Sequence, residues 1–88
     1  MEHSYKILIA DDEKEAATRL RLYLEKLSFF EEIYICCNGK EALDNIEKFH
    51  PDIVFIDIEM PEMNGIDVLR SCREPYPYFV FVTAYNHY

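Results

Sequence analysis

Three carboxylates stand where short apolar runs of this sequence stop. Asp11 and Asp12 follow the run YKILIA at residues 5–10, and Asp57 follows IVFI at residues 53–56. Two like charges about 4 Å apart near a protein surface repel each other by roughly 4 kcal/mol, so such groups, once together, need a cation, a proton or an opposing side chain. Oxygen ligands favour a hard divalent ion, and Mg²⁺ suits a site with few carboxylates and several retained waters. The residue types therefore predict a Mg²⁺ site.

Each carboxylate also has a simpler interpretation. Asp12 can be the cap of a helix, Asp11 a turn residue and Asp57 the polar end of a strand. A fourth feature favours a common site, because Thr83 ends the last apolar run and the small Ala84 follows it. A hydroxyl there could donate a hydrogen bond to an anion beside Asp57. The coincidence of these features favours one site over four unrelated structural roles.

The pattern of apolar residues predicts four strands alternating with three helices. Strands that are apolar on both faces and separated by helices belong in a parallel sheet covered on both sides. The predicted strands are residues 5–10, 32–36, 52–56 and 78–82, and the helices begin near residues 13, 38 and 65. All strands of such a sheet end at the same edge, where ligands bind. The three carboxylates are therefore expected to converge at that edge.

The first helix is predicted to begin at Glu13, with Asp12 able to form a capping box with Glu15. Its apolar residues recur at helical spacing and predict one buried face. The residues predicted on that face are Ala16, Leu20, Tyr23, Leu24 and Leu27.

The composition indicates one small domain over residues 1–88. Hydrophobic residues make up 50% of the chain, which is ample for a core. A formal net charge of −8 repels phosphate backbones, so direct nucleic-acid binding is not expected. The odd set of Cys36, Cys37 and Cys72 favours free buried thiols in a reducing compartment over a disulfide or zinc framework. No signal peptide or membrane span is recognised, so a cytoplasmic location is expected.

Three segments together resemble the receiver domain of two-component response regulators. They are ILIADDE, IVFIDIEMPEMNGIDVL and FVFVTAY, they occur in the family's order, and the resemblance extends from Tyr5 to Tyr88. It implies a flavodoxin-like, three-layer α/β/α fold with a parallel sheet in the order 2-1-3-4. It also implies a signalling input that accepts a phosphoryl group from a histidine kinase.

The resemblance implies a role for individual residues. Asp57 is implied as the phosphoacceptor, and Thr83, with Ala84 beside it, as the phosphate-sensing hydroxyl. Pro61 and Gly65 are expected to shape the loop after Asp57. The implied Mg²⁺ ligands are the side chains of Asp11, Asp12 and Asp57 and the backbone carbonyl of Glu59.

The sequence departs from the family after its fourth strand. Receivers continue with a helix, a fifth strand ending in a phosphate-binding lysine and a last helix, whereas this sequence ends at Tyr88 with no lysine or arginine after Arg73. A receiver truncated after the fourth strand is therefore expected, with slow phosphorylation, because only Mg²⁺ would balance the acyl phosphate. The tail TAYNHY resembles the subclass with LytTR-type DNA-binding domains, so a full-length regulator could carry such an output domain.

Two functions remain open at this stage. The first is a phosphoacceptor receiver that assists its own phosphorylation, and the second is a non-phosphorylated fragment acting only in protein association. A haloacid-dehalogenase-type phosphatase needs D-x-D, but Glu59 occupies the second position, so a stand-alone enzyme is not expected. Without a fifth strand the fourth becomes an outer strand, and a homodimer is expected through it. The residues of that edge are Tyr78, Phe79, Val80, Phe81 and Val82.

Overall fold

The computed structural model describes residues 4–82 of the 88-residue chain, apart from the side chain of Glu31. Within these residues four strands alternate with three helices, as the apolar pattern predicts. In chain order the elements are β1 (Tyr5–Ala10), α1 (Lys14–Glu25), β2 (Phe30–Cys36), α2 (Gly39–Phe49), β3 (Ile53–Asp57), α3 (Gly65–Ser71) and β4 (Tyr78–Val82). None of the helices in this part of the chain has the length and apolar character needed to cross a membrane.

The strands form one parallel sheet in the order β2-β1-β3-β4. This arrangement confirms the predicted fold class and strand order. Residues 7–10 of the central strand β1 are at most 1% exposed, as a parallel strand covered on both faces requires. Because all four strands run in the same direction, the residues that follow them meet at one edge of the sheet.

The helices cover both faces of the sheet and complete three layers. Successive strand residues point to opposite faces, so Ile7 and Ile9 pack on the side of α1, whereas Leu8 and Ala10 pack on the side of α2 and α3. The buried helix residues that complete these two layers are Ala17 and Leu24 in α1, Ala42 and Ile46 in α2, and Val68 in α3. The core therefore holds β1 and β3 from both sides.

The buried face of α1 differs from the predicted one. Ala17 is 1% exposed, whereas Tyr23 is 64% exposed and Leu27, which follows the end of the helix, is also exposed. Ala17 and Leu24 lie two turns apart on the same line of the helix, and Tyr23 lies beside that line. The Lys26 ammonium is 5.5 Å from the centroid of the Tyr23 ring. The prediction that Tyr23 and Leu27 belong to the core is wrong because helical spacing alone does not fix which apolar side chains at the margin are covered.

The three cysteines are free thiols, as predicted. Cys36 and Cys72 are buried as predicted, but the prediction of burial is wrong for Cys37, which follows the end of β2 and is exposed. Burial raises the pKa of the Cys36 thiol to about 11. Cys36 is therefore a protonated core residue at neutral pH.

Side chains cap two of the three helices. Asn38 accepts a hydrogen bond from the Glu41 amide at 2.8 Å at the start of α2. Asn64 and Asp67 form a reciprocal capping box at the start of α3. The N-cap position of α1 is Glu13, whose side chain makes no capping hydrogen bond. The interpretation of Asp12 as a helix cap is therefore wrong, and its carboxylate is not committed to that role.

Helix α2 ends in a left-handed residue. His50 has φ 51° and ψ 59°, and its amide donates to the Ile46 carbonyl at 3.1 Å. A side chain with a Cβ disfavours this conformation by roughly 1–2 kcal/mol, which is why glycine is common there. Pro51 follows directly and ends the helix.

We expect His50→Gly to raise the free energy of unfolding by about 1 kcal/mol, because the strain of the left-handed conformation exceeds the extra flexibility of glycine in the unfolded chain. Urea unfolding measures the change. Glu47→Gly, an exposed position within the same helix, is the matched control and should cost about 1 kcal/mol. A loss of stability in both variants would contradict the assignment of His50 to the left-handed region.

Candidate functional site

Three carboxylates meet at the edge where β1 and β3 end. Asp11, Asp12 and Asp57 each offer an oxygen, and these oxygens all lie within 4.8 Å of one another. The register explains the convergence, because Ala10 in β1 is paired with Ile56 in β3. The residues that follow this pair therefore leave the sheet side by side. The spacing suits oxygen ligands around one divalent cation.

Backbone turns fix two of the carboxylates. One oxygen of Asp11 accepts a hydrogen bond from the Glu13 amide at 2.9 Å, and one oxygen of Asp57 accepts from the Glu59 amide at 3.1 Å. Both are turns in which an aspartate binds the amide two residues ahead. Asp11 is thus a turn residue, as its simpler interpretation predicts. This role does not compete with a shared site, because each turn uses one of two carboxylate oxygens.

Among the described residues no lysine or arginine lies at ion-pair distance from this cluster. Within residues 4–82 the ion pair that forms joins Arg21 to Glu25 on α1, away from the carboxylates. Partial burial is the main cause that raises the pKa of Asp57 above its usual value, and the charges of Asp11 and Asp12 raise it further. The hydrogen bond from the Glu59 amide acts in the opposite direction. The cluster therefore favours a bound cation or a proton.

The loop between β3 and α3 packs tightly against the end of β3. The Gly65 amide donates to the Ile58 carbonyl at 2.9 Å, and the Met63 amide donates to the Pro61 carbonyl at 2.7 Å. A Cβ at Gly65 would lie 2.6 Å from the Asp57 carbonyl oxygen, closer than packed atoms approach. The start of α3 can therefore approach the end of β3 this closely only with glycine at position 65. The loop-shaping roles of Pro61 and Gly65 stay predictions.

Sequence reasoning missed Gly39, which touches the same loop. A Cβ at Gly39 would overlap the carbonyl oxygen of Met63. Gly39 is the first residue of α2, and the only feature that the sequence shows there is that Gly39 follows the cap residue Asn38. Because the contact joins residues far apart in the chain, no local pattern indicates it.

Two further groups of residues are predicted from the sequence to be functional. Thr83 and Ala84 lie outside the described residues, although Thr83 follows Val82, which is paired with Asp57. The predicted dimer edge is β4, the outer strand of the described sheet next to β3. Tyr78 is 72% exposed and Val82 38% exposed, while the three residues between them are partly buried.

A parallel sheet in this order with an acidic cluster beyond its strands is the architecture of a receiver domain. Residues 7–88 match the family model of the response regulator receiver domain. The chain therefore belongs to the response regulator receiver family, which confirms the resemblance to receiver domains and the flavodoxin-like fold. The LytTR-type subclass stays a prediction. Receiver domains are generally regulatory, although one relative, 36% identical over 80 residues, is a protein-glutamate methylesterase/protein-glutamine glutaminase of Saccharophagus degradans.

Relatives and solved structures agree with this assignment. The chain is 38% identical over 84 residues to the transcriptional regulatory protein BtsR of Escherichia coli (strain K12), covering 94% of this chain and 35% of that protein. It is 42% identical over 91 residues to an uncharacterized response regulatory protein of Vibrio cholerae serotype O1, covering 100% of this chain and 35% of the relative. The MaeR response regulator bound to beryllium trifluoride is 29% identical with a TM-score of 0.84, over 94% of this chain and 70% of that one. The chain thus spans about a third of the length of BtsR and of the Vibrio cholerae protein.

We expect Asp57→Asn to raise the free energy of unfolding by about 1 kcal/mol at pH 7 in metal-free buffer, after allowing for solvent screening. The raised pKa means that ionised Asp57 disfavours folding. This effect is absent below the usual aspartate pKa of about 3.9 and develops as the pH rises through the pKa of the folded state. The difference between variant and parent should therefore close on acidification.

Urea unfolding between pH 7.5 and pH 3.5 measures this difference. Asp44→Asn, at an exposed position on α2, removes the same charge away from the cluster and should change stability by less than about 0.5 kcal/mol. A less stable Asp57→Asn protein at neutral pH, or a difference that does not depend on pH, would contradict the electrostatic account.

Proposed function

We propose that this chain is the phosphoacceptor receiver of a response regulator and that Asp57 accepts a phosphoryl group from a histidine kinase in the presence of Mg²⁺. One observation carries the proposal. The oxygens of Asp11, Asp12 and Asp57 lie within 4.8 Å of one another at the end of two central strands. We further propose that residues 1–88 act as a single cytoplasmic domain, and that its net charge of −8 keeps it from binding nucleic acid directly.

Asp57 has the attributes of a positioned nucleophile. It is the last residue of β3, a strand paired on one side with β1 and on the other with β4. The Glu59 amide holds one carboxylate oxygen at 3.1 Å. An oxygen of Asp57 forms the new P–O bond while the P–N bond of the partner's phosphohistidine breaks and its electron pair remains on the imidazole. Positioning of the nucleophile, together with neutralisation of charge, is most of what the protein supplies in such a transfer.

The same residues suit a magnesium ion. Asp11, Asp12 and Asp57 provide carboxylate oxygens, and we propose that the backbone carbonyl of Glu59 adds a neutral oxygen ligand. Bound Mg²⁺ would neutralise charge on the phosphoryl oxygens and on the carboxylates. Because no lysine or arginine of the described residues pairs with these carboxylates at ion-pair distance, the cluster depends on such a cation.

We propose that Thr83 senses the phosphoryl group and that Ala84 leaves space for it. The support is the register of the sheet, since Val82 is paired with Asp57 and Thr83 is the next residue in the chain. A threonine hydroxyl can donate a hydrogen bond to a phosphoryl oxygen.

Incubation with acetyl phosphate and Mg²⁺ followed by intact-mass measurement tests the proposal. We expect a slow gain of one phosphoryl group, absent when EDTA is present from the start and absent from Asp57→Asn, because formation of the label requires both the nucleophile and the metal. Asp44→Asn keeps Asp57 intact and should be labelled like the parent. An unlabelled parent, or a label that persists in Asp57→Asn, would contradict the proposal.

Self-association through β4 is a second candidate function, favoured by the exposure of that strand. Its five residues carry no charge and no proline to protect the edge. The Tyr78 amide bonds to the Asp52 carbonyl at 2.9 Å, so alternation along the strand directs the amides of Phe79 and Phe81 away from β3. We propose that a second copy, related by a two-fold axis, pairs antiparallel with these groups.

We expect the 88-residue chain to have the mass of a dimer by size-exclusion chromatography with light scattering at micromolar concentration. The double variant Tyr78→Lys/Val82→Lys should be a monomer, because lysines protect an outer strand from pairing. The matched control Leu22→Lys/Tyr23→Lys changes two exposed apolar residues of α1 and should remain a dimer. A monomeric parent would refute this contact, and a dimeric β4 variant would locate it elsewhere.

A further inference from the structure

The start of α2 lies directly against the loop that follows Asp57. Gly39 is buried and is the first residue of the helix. A Cβ built on it would overlap the carbonyl oxygen of Met63 and would lie 2.8 Å from both the carbonyl carbon and the Cβ of that residue. Two of these three atoms belong to the backbone. A rotation of the Met63 side chain could not relieve the overlap, so the loop itself would have to move.

The other side of the loop is held just as closely. The Gly65 amide bonds to the Ile58 carbonyl at 2.9 Å, and the missing side chain of Gly65 allows contact with the Asp57 carbonyl. Directly before Met63, Glu62 adopts a left-handed conformation with φ 70°, which a residue with a Cβ rarely adopts without support. The loop is thus enclosed between α2 and the end of β3. Glu59, whose amide bonds to Asp57, lies within it.

We propose that Gly39 is a positioning residue that holds the β3–α3 loop so that the backbone of Glu59 faces the acidic cluster. This inference rests on the function proposed for Asp57. Gly39 contacts Met63, and Met63 belongs to the same loop as Glu59, so the helix acts on the site through the loop. Intrinsic helix propensity favours alanine over glycine, and a glycine at this buried helix position is therefore explained by the approach of Met63.

Amide hydrogen exchange in metal-free protein tests the positioning directly. We expect Gly39→Ala to speed exchange of the Glu59 and Gly65 amides at least tenfold, relative to the change at Ile9 in the centre of the sheet. Asn38→Ala is the matched control, because it removes the cap of the same helix without adding an atom against Met63. Its Glu59 and Gly65 amides should change no more than Ile9 does. Equal behaviour of the two variants would overturn the proposal.

Calorimetric titration with Mg²⁺ provides the second measurement. We expect the dissociation constant to rise at least fivefold in Gly39→Ala and to remain within twofold of the parent in Asn38→Ala, because only the first variant displaces the loop. Parent-like Mg²⁺ affinity in Gly39→Ala would overturn the proposal. A parent chain that binds no Mg²⁺ would instead count against the function proposed for Asp57, and the exchange experiment alone would then decide the role of Gly39.

A measurement on the parent chain decides the matter if Gly39→Ala does not fold. The contact predicts strong nuclear Overhauser effects between the α protons of Gly39 and the β protons of Met63, since a Cβ on Gly39 would lie 2.8 Å from the Met63 Cβ. Their presence would support the enclosed loop, and their absence would overturn the proposal.

Discussion

Repulsion among Asp11, Asp12 and Asp57 is the interaction on which the account of this protein depends. Their oxygens lie within 4.8 Å of one another, and the like charges of these partly exposed groups cost about 1 kcal/mol after solvent screening. The strands that carry them cannot separate, because residues 7–10 of β1 are buried on both faces of the sheet and Val54 and Ile56 of β3 are fully buried on the side of α2 and α3. The sheet therefore holds the three carboxylates close together, and a cation or a proton relieves their repulsion.

The loop next to the cluster links Asp57 to helices α2 and α3. One oxygen of Asp57 is tied to the Glu59 amide, and the loop that contains Glu59 is enclosed between Gly39 of α2 and Gly65 of α3. A left-handed residue, Glu62, lies in the same loop. Local strain of this kind persists where the surrounding structure over-determines it. A change of charge at Asp57 is therefore expected to act first on the loop and through it on both helices.

The sequence was sufficient for the order of elements, because short continuous apolar runs alternate with segments of helical period and parallel strands bring their ends to one edge. It was insufficient where tertiary contact decides. Helical spacing favoured Tyr23 as a core residue of α1, but Ala17 is the side chain that the sheet covers. Asp12 was considered as the cap of α1, but no side chain caps the start of this helix. The contact of Gly39 with Met63 joins distant residues, so only the folded chain reveals it.

Replacement of Mg²⁺ by Mn²⁺ tests the central claim most directly, because both ions take oxygen ligands and Mn²⁺ broadens the amide signals of nearby residues. At substoichiometric Mn²⁺ the account predicts selective broadening at Asp11, Asp12 and Glu59, reversed by excess Mg²⁺. Broadening centred on Asp52 and Glu74, which precede β3 and β4 and lie beyond the opposite edge of the sheet, would contradict it. So would broadening that excess Mg²⁺ does not reverse.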